Sequence, residues 1–183
     1  MQLERPTHDP AVLRSFLAAM REFQDVDDSR KADGFTTDEL SEGDRLDRYV
    51  DDLIAGRYPN PVNAPDEPVP FTLLWAIDRD APASAYVGSV CVNHRLTSAL
   101  KRWGGHIAYN VRPSLRRRGH ATAMLAAALP IAHAAGVDRA LLTVHVNNTG
   151  SRRVIDANGG ELVNIDGSAC YYWIPTRGTA PVN

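Results

Sequence analysis

Three consecutive arginines and a glycine stand between an apolar run and a long alanine-rich segment: Arg116-Arg117-Arg118-Gly119-His120-Ala121-Thr122. With Tyr109-Asn110-Val111-Arg112-Pro113-Ser114-Leu115 before them, they read as a strand, a basic loop and a helix start. A helix start presents N–H groups without intrahelical acceptors and the positive end of the helix dipole, which together bind anions. Gly119 lets the backbone approach a phosphate closely, and the small side chain of Ala121 does not obstruct it. The glycine spacing of a dinucleotide fingerprint and the Gly-Lys-Ser/Thr end of a Walker loop are both missing, so neither motif is present. An RNA-binding patch would need stacking aromatics beside the arginines, and none adjoins them. The loop therefore says phosphate, without saying which one. Groups able to move a proton occur at His106, Tyr109, His145, Tyr171 and Tyr172. Cys91 and Cys170 lie far apart in apolar runs and read as buried thiols, with no activating neighbour and no metal site.

The elements that must position these residues follow from periodicity. Val12, Leu13, Phe16, Leu17, Met20 and Phe23 recur at helical spacing over 9–24, after Asp9-Pro10 as cap and first turn. Residues 25–42 are acidic and lack apolar periodicity, so they read as a loop, and a shorter helix is expected over 43–55. Five prolines between 57 and 70 mark a connector. Phe71–Ile77 and Ala85–Val92 read as a hairpin around Asp78-Arg79-Asp80-Ala81-Pro82. Gly105–Val111 is a third strand and Ala121–Ala135 a long apolar helix in which Pro130 should introduce a kink. Ala140–Val146 is a strand, Gly150–Ala157 a helix, and Leu162–Ile165 with Cys170–Ile174 a closing pair of strands. Helices first, then strands, then alternation imply one α/β or α+β layered fold.

The 183 residues suffice for about one domain with its own core. An apolar fraction of 44% with 23% charged residues excludes a disordered chain and a disulfide scaffold. No apolar run is long enough to span a bilayer, and the first residues show no basic patch followed by an apolar stretch, so a cytoplasmic, non-membrane protein is expected. The net charge of −2 hides an asymmetry: residues 1–92 carry 18 acidic and 9 basic side chains, residues 93–183 carry 4 and 11. One acidic and one basic region suggest two ligands of opposite sign; the alternative is two ordinary solvated faces.

Arg116-x-x-Gly119-x-Ala121 is similar to the Arg/Gln-x-x-Gly-x-Gly/Ala signature of the GNAT acetyltransferase superfamily, which holds the pyrophosphate of acetyl-CoA. Val111-Arg112-Pro113 before it fits the same pattern, as does Asn148-x-x-Ser151 opening a helix that runs to Asn158-Gly159-Gly160. Asn93-His94-Arg95-Leu96, Gly104-Gly105-His106-Ile107-Ala108-Tyr109 and Tyr172-Trp173-Ile174 resemble a bacterial group of predicted acetyltransferases within that superfamily. The resemblance covers residues 85–175, and the first 84 match only in element pattern. It implies a mixed, mainly antiparallel central sheet of about six or seven strands with helices on both faces. It also implies a single N-acetyltransferase domain over 1–183: acceptor-side helices and first strands in 1–84, an acetyl-CoA core in 85–175 and a tail in 176–183.

The chemistry the resemblance implies is direct transfer from acetyl-CoA, as co-substrate, to the amine of a small molecule or peptide. The cofactor would enter between strands 105–111 and 140–146. The Val111 backbone would polarise the thioester carbonyl, the amides of Arg116, Arg117, Arg118, Gly119, His120, Ala121 and Thr122 would hold the pyrophosphate, and Asn148 and Ser151 would contact the CoA arm. No metal is implied, nucleic acid is disfavoured as a partner, and a second copy of the chain is a candidate one. The alternatives are a CoA-binding regulatory module without turnover, a larger acyl donor, or a hydroxyl acceptor. An amine with a pKa near 10.4 is neutral in only about one molecule in 2,500 at pH 7, so a base is wanted. His106 occupies the strand position where many members carry a catalytic glutamate, which makes it the candidate base. Many members place a proton-donating tyrosine seven residues after the asparagine; here that residue is Ile155, so the acid passes to Tyr172 or Tyr171, or to water. The acidic stretch Asp25, Asp27, Asp28, Asp33, Asp38, Glu39 and Glu42 would favour a cationic acceptor.

Overall fold

The computed structural model describes residues 1–26, 36–57, 69–81, 83 and 85–177. Most of the proline-rich connector (58–68), residues 27–35 of the acidic stretch and 178–183 of the tail lie outside the described residues. The elements are β1 (Gln2–Glu4), α1 (Pro10–Asp25), α2 (Thr37–Leu40), α3 (Arg45–Ile54), β2 (Phe71–Ile77), β3 (Tyr86–Asn93), α4 (Ser98–Arg102), β4 (Ile107–Val111), α5 (His120–Ala134), β5 (Arg139–His145), α6 (Thr149–Ala157), β6 (Glu161–Asp166) and β7 (Ala169–Pro175). Every strand and long helix read from the pattern is present within two residues of its expected ends, and α5 continues through Pro130.

Local chemistry explains the boundaries. The Asp9 carboxylate accepts from the Ala11 N–H at 2.9 Å and the Val12 N–H at 3.4 Å, so α1 starts at Pro10, where a missing N–H costs nothing. The segment 25–42, expected as a loop, contains α2. Its signal was in the sequence as Thr36-x-x-Glu39: the Thr36 side chain accepts from the Glu39 N–H while the Glu39 carboxylate accepts from the Thr36 N–H at 2.7 Å. The periodicity also passes over β1, paired antiparallel with β2 from Gln2↔Ile77 to Glu4↔Trp75, and α4, capped by Thr97. All three elements are shorter than any periodic window can register.

Seven strands form two sheets, one ordered β1-β2-β3-β4 and one ordered β5-β7-β6. β5 and β7 pair antiparallel from Arg139↔Pro175 to His145↔Ala169, and β6 pairs with β7 through an irregularity between Leu162 and Asn164. β6 is exposed along its whole length, including Leu162, Val163 and Ile165.

The chain makes two compact units. The first comprises Met1–Asn60, Leu73–Ser89 and Asn110–His120; the second comprises Pro61–Thr72, Val90–Tyr109 and Ala121–Asn183. Both units draw on residues from either side of position 84. In the first, Phe16 of α1 stacks on Trp75 with ring centroids 4.9 Å apart and meets the edge of Tyr86 at 5.1 Å. These aromatic contacts fix α1 to the strands. In the second, Met124, Leu125, Leu142, Tyr172 and Ile174 are buried.

In the first unit, both ring nitrogens of His8 face carboxylates of α3: Nδ1 lies 3.2 Å from Asp47 and Nε2 lies 3.0 Å from Asp51. A neutral imidazole has one N–H and could satisfy only one of them, so the arrangement requires the doubly protonated ring. The hydrogen bonds to Asp47 and Asp51 raise its pKa above the ordinary value of 6.5. The contribution is therefore complete below pH 6.5 and lost as pH rises through the raised value. His8→Ala should lower Tm by about 1–2 °C at pH 6 and by nothing at pH 9, read by thermal unfolding across that range. An identical loss at both pH values would contradict the charged clasp.

Candidate functional site

The basic loop belongs to the first unit up to His120, and its start is built on a buried ion pair. Arg112, 8% exposed, reaches back to α1. Its Nε donates to a Glu22 carboxylate oxygen at 2.7 Å, its Nη2 lies 2.7 Å from the same oxygen, and its Nη1 donates to Ser15 Oγ at 3.1 Å. Ser15 Oγ also accepts from the Tyr86 N–H of β3 at 2.9 Å. Glu22 further accepts from the Ser114 N–H at 2.9 Å and from the Ser114 hydroxyl at 3.0 Å. Partial burial pushes the Glu22 carboxyl upward, but the Ser114 donors and Arg112 outweigh it and hold the group below the usual carboxylate range.

Beyond this anchor the loop turns through a short 3-10 segment, Pro113–Leu115, with Leu115 buried. Arg116 folds back: its Nε donates to the Val111 carbonyl at 3.1 Å, and its guanidinium lies 5.8 Å from the Phe23 ring. Arg117 has φ +63° and Gly119 has φ +82°, two left-handed residues in three. Nothing lies within 4 Å of where a Cβ at Gly119 would stand. Arg117, Arg118 and Gly119 are exposed, and α5 begins at His120. The amides of His120, Ala121 and Thr122 are thus the free first-turn donors of a fifteen-residue helix. Arg116, Arg117 and Arg118 are all exposed, and the Arg116 Nε is engaged by the Val111 carbonyl.

Val111 itself is 8% exposed, and the residues on both sides of it are held, one by its backbone and one by its side chain. The Arg112 N–H donates to the Val87 carbonyl at 2.8 Å, while Asn110 and Ser89 exchange hydrogen bonds. A Cβ on Gly88 would stand 2.1 Å from the Asn110 carbonyl oxygen, so β3 and β4 approach here as closely as only a glycine allows.

His106 lies in the second unit. Its ring Nδ1 accepts from the Leu141 N–H at 2.8 Å, and its backbone N–H donates to the Leu141 carbonyl at 2.7 Å. The lone pair that would take a proton is already engaged, and burial lowers the pKa to about 4. The preceding Gly105 (φ +72°) forms an isolated bridge with Leu142, and a Cβ there would stand 2.2 Å from the Leu141 carbonyl oxygen. The Gly105 carbonyl accepts from Asn93 Nδ2 at 3.0 Å, and the Gly104 N–H donates to Thr143 Oγ1 at 2.6 Å. The Gly104-Gly105-His106 motif is therefore where β4 is joined to β5.

The other predicted residues of the second unit surround the start of α6. Asn148 caps that helix, its side-chain oxygen accepting from the Ser151 N–H at 3.0 Å, and Tyr109 Oη donates to the Ser151 carbonyl at 3.3 Å. Ile155, at the expected tyrosine position, is fully buried. Tyr172 is 1% exposed, and its hydroxyl accepts from Arg152 Nε at 3.1 Å. Tyr171 Oη donates to the Arg102 carbonyl at 3.1 Å, and His145 Nδ1 accepts from the Asn147 N–H at 3.2 Å. Glu22, Ser15 and Arg152 were not read as site residues. For Glu22 and Ser15 no sequence signal exists, because their partner is some ninety positions away. Among the described residues no cluster of His, Cys, Asp or Glu could hold a metal ion, and no helix is long and apolar enough to cross a membrane.

The acetyltransferase (GNAT) domain family matches residues 12–161, so the chain belongs to the GNAT acetyltransferases. Solved structures of the same fold include PaiA N-acetyltransferase from Thermoplasma acidophilum in complex with coenzyme A, at 16% identity and TM-score 0.54, covering 96% of this chain and 99% of that one. Mycobacterium smegmatis RimJ in complex with CoA-disulfide is similar at 22% identity and TM-score 0.58, covering 89% and 78%. The microcin C7 self-immunity acetyltransferase MccE, in complex with acetyl-CoA and AMP, is similar at 15% identity and TM-score 0.56, covering 94% and 91%. No curated protein sequence matches the chain.

Two measurements test these anchors. Glu22→Ala leaves the Arg112 cation buried without its carboxylate and should cost about 3 kcal/mol in denaturant unfolding; a loss below about 1 kcal/mol would show that solvent replaces the carboxylate. For His106, the unfolded chain takes up a proton near pH 6.5 and the folded chain only near pH 4, so stability should fall as pH drops through that window. His106→Asn should remove this slope between pH 6.5 and 5, where His8 stays charged. An unaltered slope would detach it from His106.

Proposed function

We propose that this GNAT acetyltransferase moves the acetyl group of acetyl-CoA to an amine by direct attack, without an acyl-enzyme. The observation that carries the reading is the loop from Arg112 to His120: anchored by Glu22, bent by two left-handed residues, and leading exposed arginines and a glycine into α5. That arrangement fits a pyrophosphate, because it combines free amides, the helix dipole and flexible cations with no side chain over Gly119. The complexes of PaiA and MccE with coenzyme A and acetyl-CoA support the same ligand.

Bound acetyl-CoA supplies an activated thioester. The protein's part is to hold it and to present the amine. Arg117 and Arg118 with the amides of Gly119, His120, Ala121 and Thr122 bind the diphosphate. The Val111 backbone, clamped through Asn110 and Arg112, offers a fixed N–H to the thioester oxygen. Asn148, capping α6 at the Ser151 N–H, shapes the start of the helix that the family resemblance assigns to the CoA arm. We assign His106 to joining β4 and β5, and Tyr172 to an internal bond with Arg152. The amine proton then passes to water, and the thiolate leaves without a protein acid, as a low-pKa leaving group can. The cationic-acceptor reading rests on Asp25, Asp38, Glu39 and Glu42 of the described residues; Glu39 already spends its carboxylate on Thr36.

The test is calorimetric CoA titration. Gly119→Val places a branched side chain at φ +82°, where L residues are strained by about 1–2 kcal/mol, and sets bulk over the amides. It should weaken CoA binding at least tenfold, as should paired Arg117→Ala and Arg118→Ala, with folded-state circular dichroism retained. Unchanged affinity in the folded variants would remove the phosphate assignment. Acetyl-CoA turnover, followed by thiol release with polyamines, aminoglycosides, amino acids and peptides, distinguishes an enzyme from a module that only binds.

A further inference from the structure

The mechanism leaves the remaining acceptor sites of one polar pair beside Val111 unused. Ser89 on β3 and Asn110 on β4 are both half-exposed and both belong to the first unit. The Ser89 N–H donates to Asn110 Oδ1 at 3.2 Å, and Asn110 Nδ2 donates to Ser89 Oγ at 2.8 Å. These two bonds fix the amide orientation, since a flipped Asn110 would set its NH2 against the Ser89 N–H. The close approach at Gly88 holds the pair together, because a side chain there would drive β3 away from Asn110. Among the described residues neither side chain has a further partner.

An inventory of hydrogen-bonding capacity shows what the pair can take. Asn110 Oδ1 has two lone pairs and uses one; Ser89 Oγ has two and uses one. Two acceptor sites therefore remain, on adjacent atoms of two side chains held rigid by each other. The Asn110 peptide runs directly into the Val111 N–H, so these sites stand within one residue of the proposed thioester clamp. A neutral primary amine has two N–H donors and one lone pair. Giving both donors to the two sites leaves its lone pair free for attack. A hydroxyl has only one donor and would fill only one of the two sites, leaving the other to water.

We propose that Ser89 and Asn110 form the cradle for the acceptor nitrogen, receiving its two N–H groups and selecting primary amines over alcohols. The proposal rests on the acetyl-CoA reading and deepens it by naming the groups that touch the acceptor. Attack forms the N–C bond and breaks the C–S bond; one cradled N–H proton goes to water, and the thiolate takes the electron pair.

The test uses the full chain with spermidine, lysine amide and a peptide carrying a free N-terminus, taking forward the best acceptor, with ethanolamine against ethylene glycol as the amine–alcohol comparison. Ser89→Ala should lower kcat/KM for the amine about tenfold by raising its KM, and Asn110→Ala about thirtyfold. Ser89→Thr, which keeps the hydroxyl, should stay within threefold of the original. CoA affinity by calorimetry should stay at the original value in Ser89→Ala and Ser89→Thr. The preference for amine over alcohol should shrink with Ser89→Ala. Amine kcat/KM unchanged in Ser89→Ala, or lost equally in Ser89→Thr, would overturn the cradle while leaving acetyl transfer in place. Failure of the original chain to bind CoA, or to acetylate any of the three amines, would instead overturn the proposed function and the cradle with it.

Discussion

The buried pair between Arg112 and Glu22 is the constraint on which the loop depends. A guanidinium taken out of water is costly unless its N–H groups meet acceptors, and here α1 supplies both acceptor side chains. Ser15 and Glu22 stand about two turns apart on one face of that helix. They can engage Arg112 only if α1 lies against the strands at one height, which the stack of Phe16 on Trp75 secures by independent means. Apolar packing brings α1 to the sheet; the ion pair decides where the chain leaves β4. Since Glu22 also binds both donors of Ser114, the first turn of the loop is fixed before any ligand arrives.

The second unit solves a comparable problem with backbone instead of charge. Two glycines let β4 come against β5, and the His106 ring fills the gap by accepting the one amide that such an approach would otherwise leave unpaired. A charged ring could not accept that bond, so burial and hydrogen bonding both demand the neutral form. A histidine has two opposed uses, proton acceptor or strand fastener. The partner of its nitrogen, rather than its place in the chain, separates them.

Element order was legible because most strands and the long helices carry strong periodicity, and the Asp9-Pro10 start of α1 was readable from capping chemistry alone. The turn of the basic loop into α5 was legible for a different reason: a glycine at a helix start suits a left-handed bend. What escaped is of two kinds. α2, α4 and β1 are too short for periodicity, although the Thr36-x-x-Glu39 box did announce α2. Glu22, Ser15 and the partner of His106 are invisible in principle, because pairing across long sequence separation leaves no local trace. The bond from Arg116 Nε to the Val111 carbonyl is equally invisible in a motif, which fixes a residue's type and spacing but not where its side chain lies.

Among the described residues β6 is an edge strand, unpaired along one side, with three exposed aliphatic residues, a combination that invites strands of other molecules to add. Its ends are Glu161 and Asp166. Were two copies to add edge to edge in antiparallel register, centred on the strand, each Glu161 would face the other copy's Asp166, a carboxylate opposite a carboxylate. The fold thus carries its own safeguard against growing into a continuous sheet, and it is written in charge.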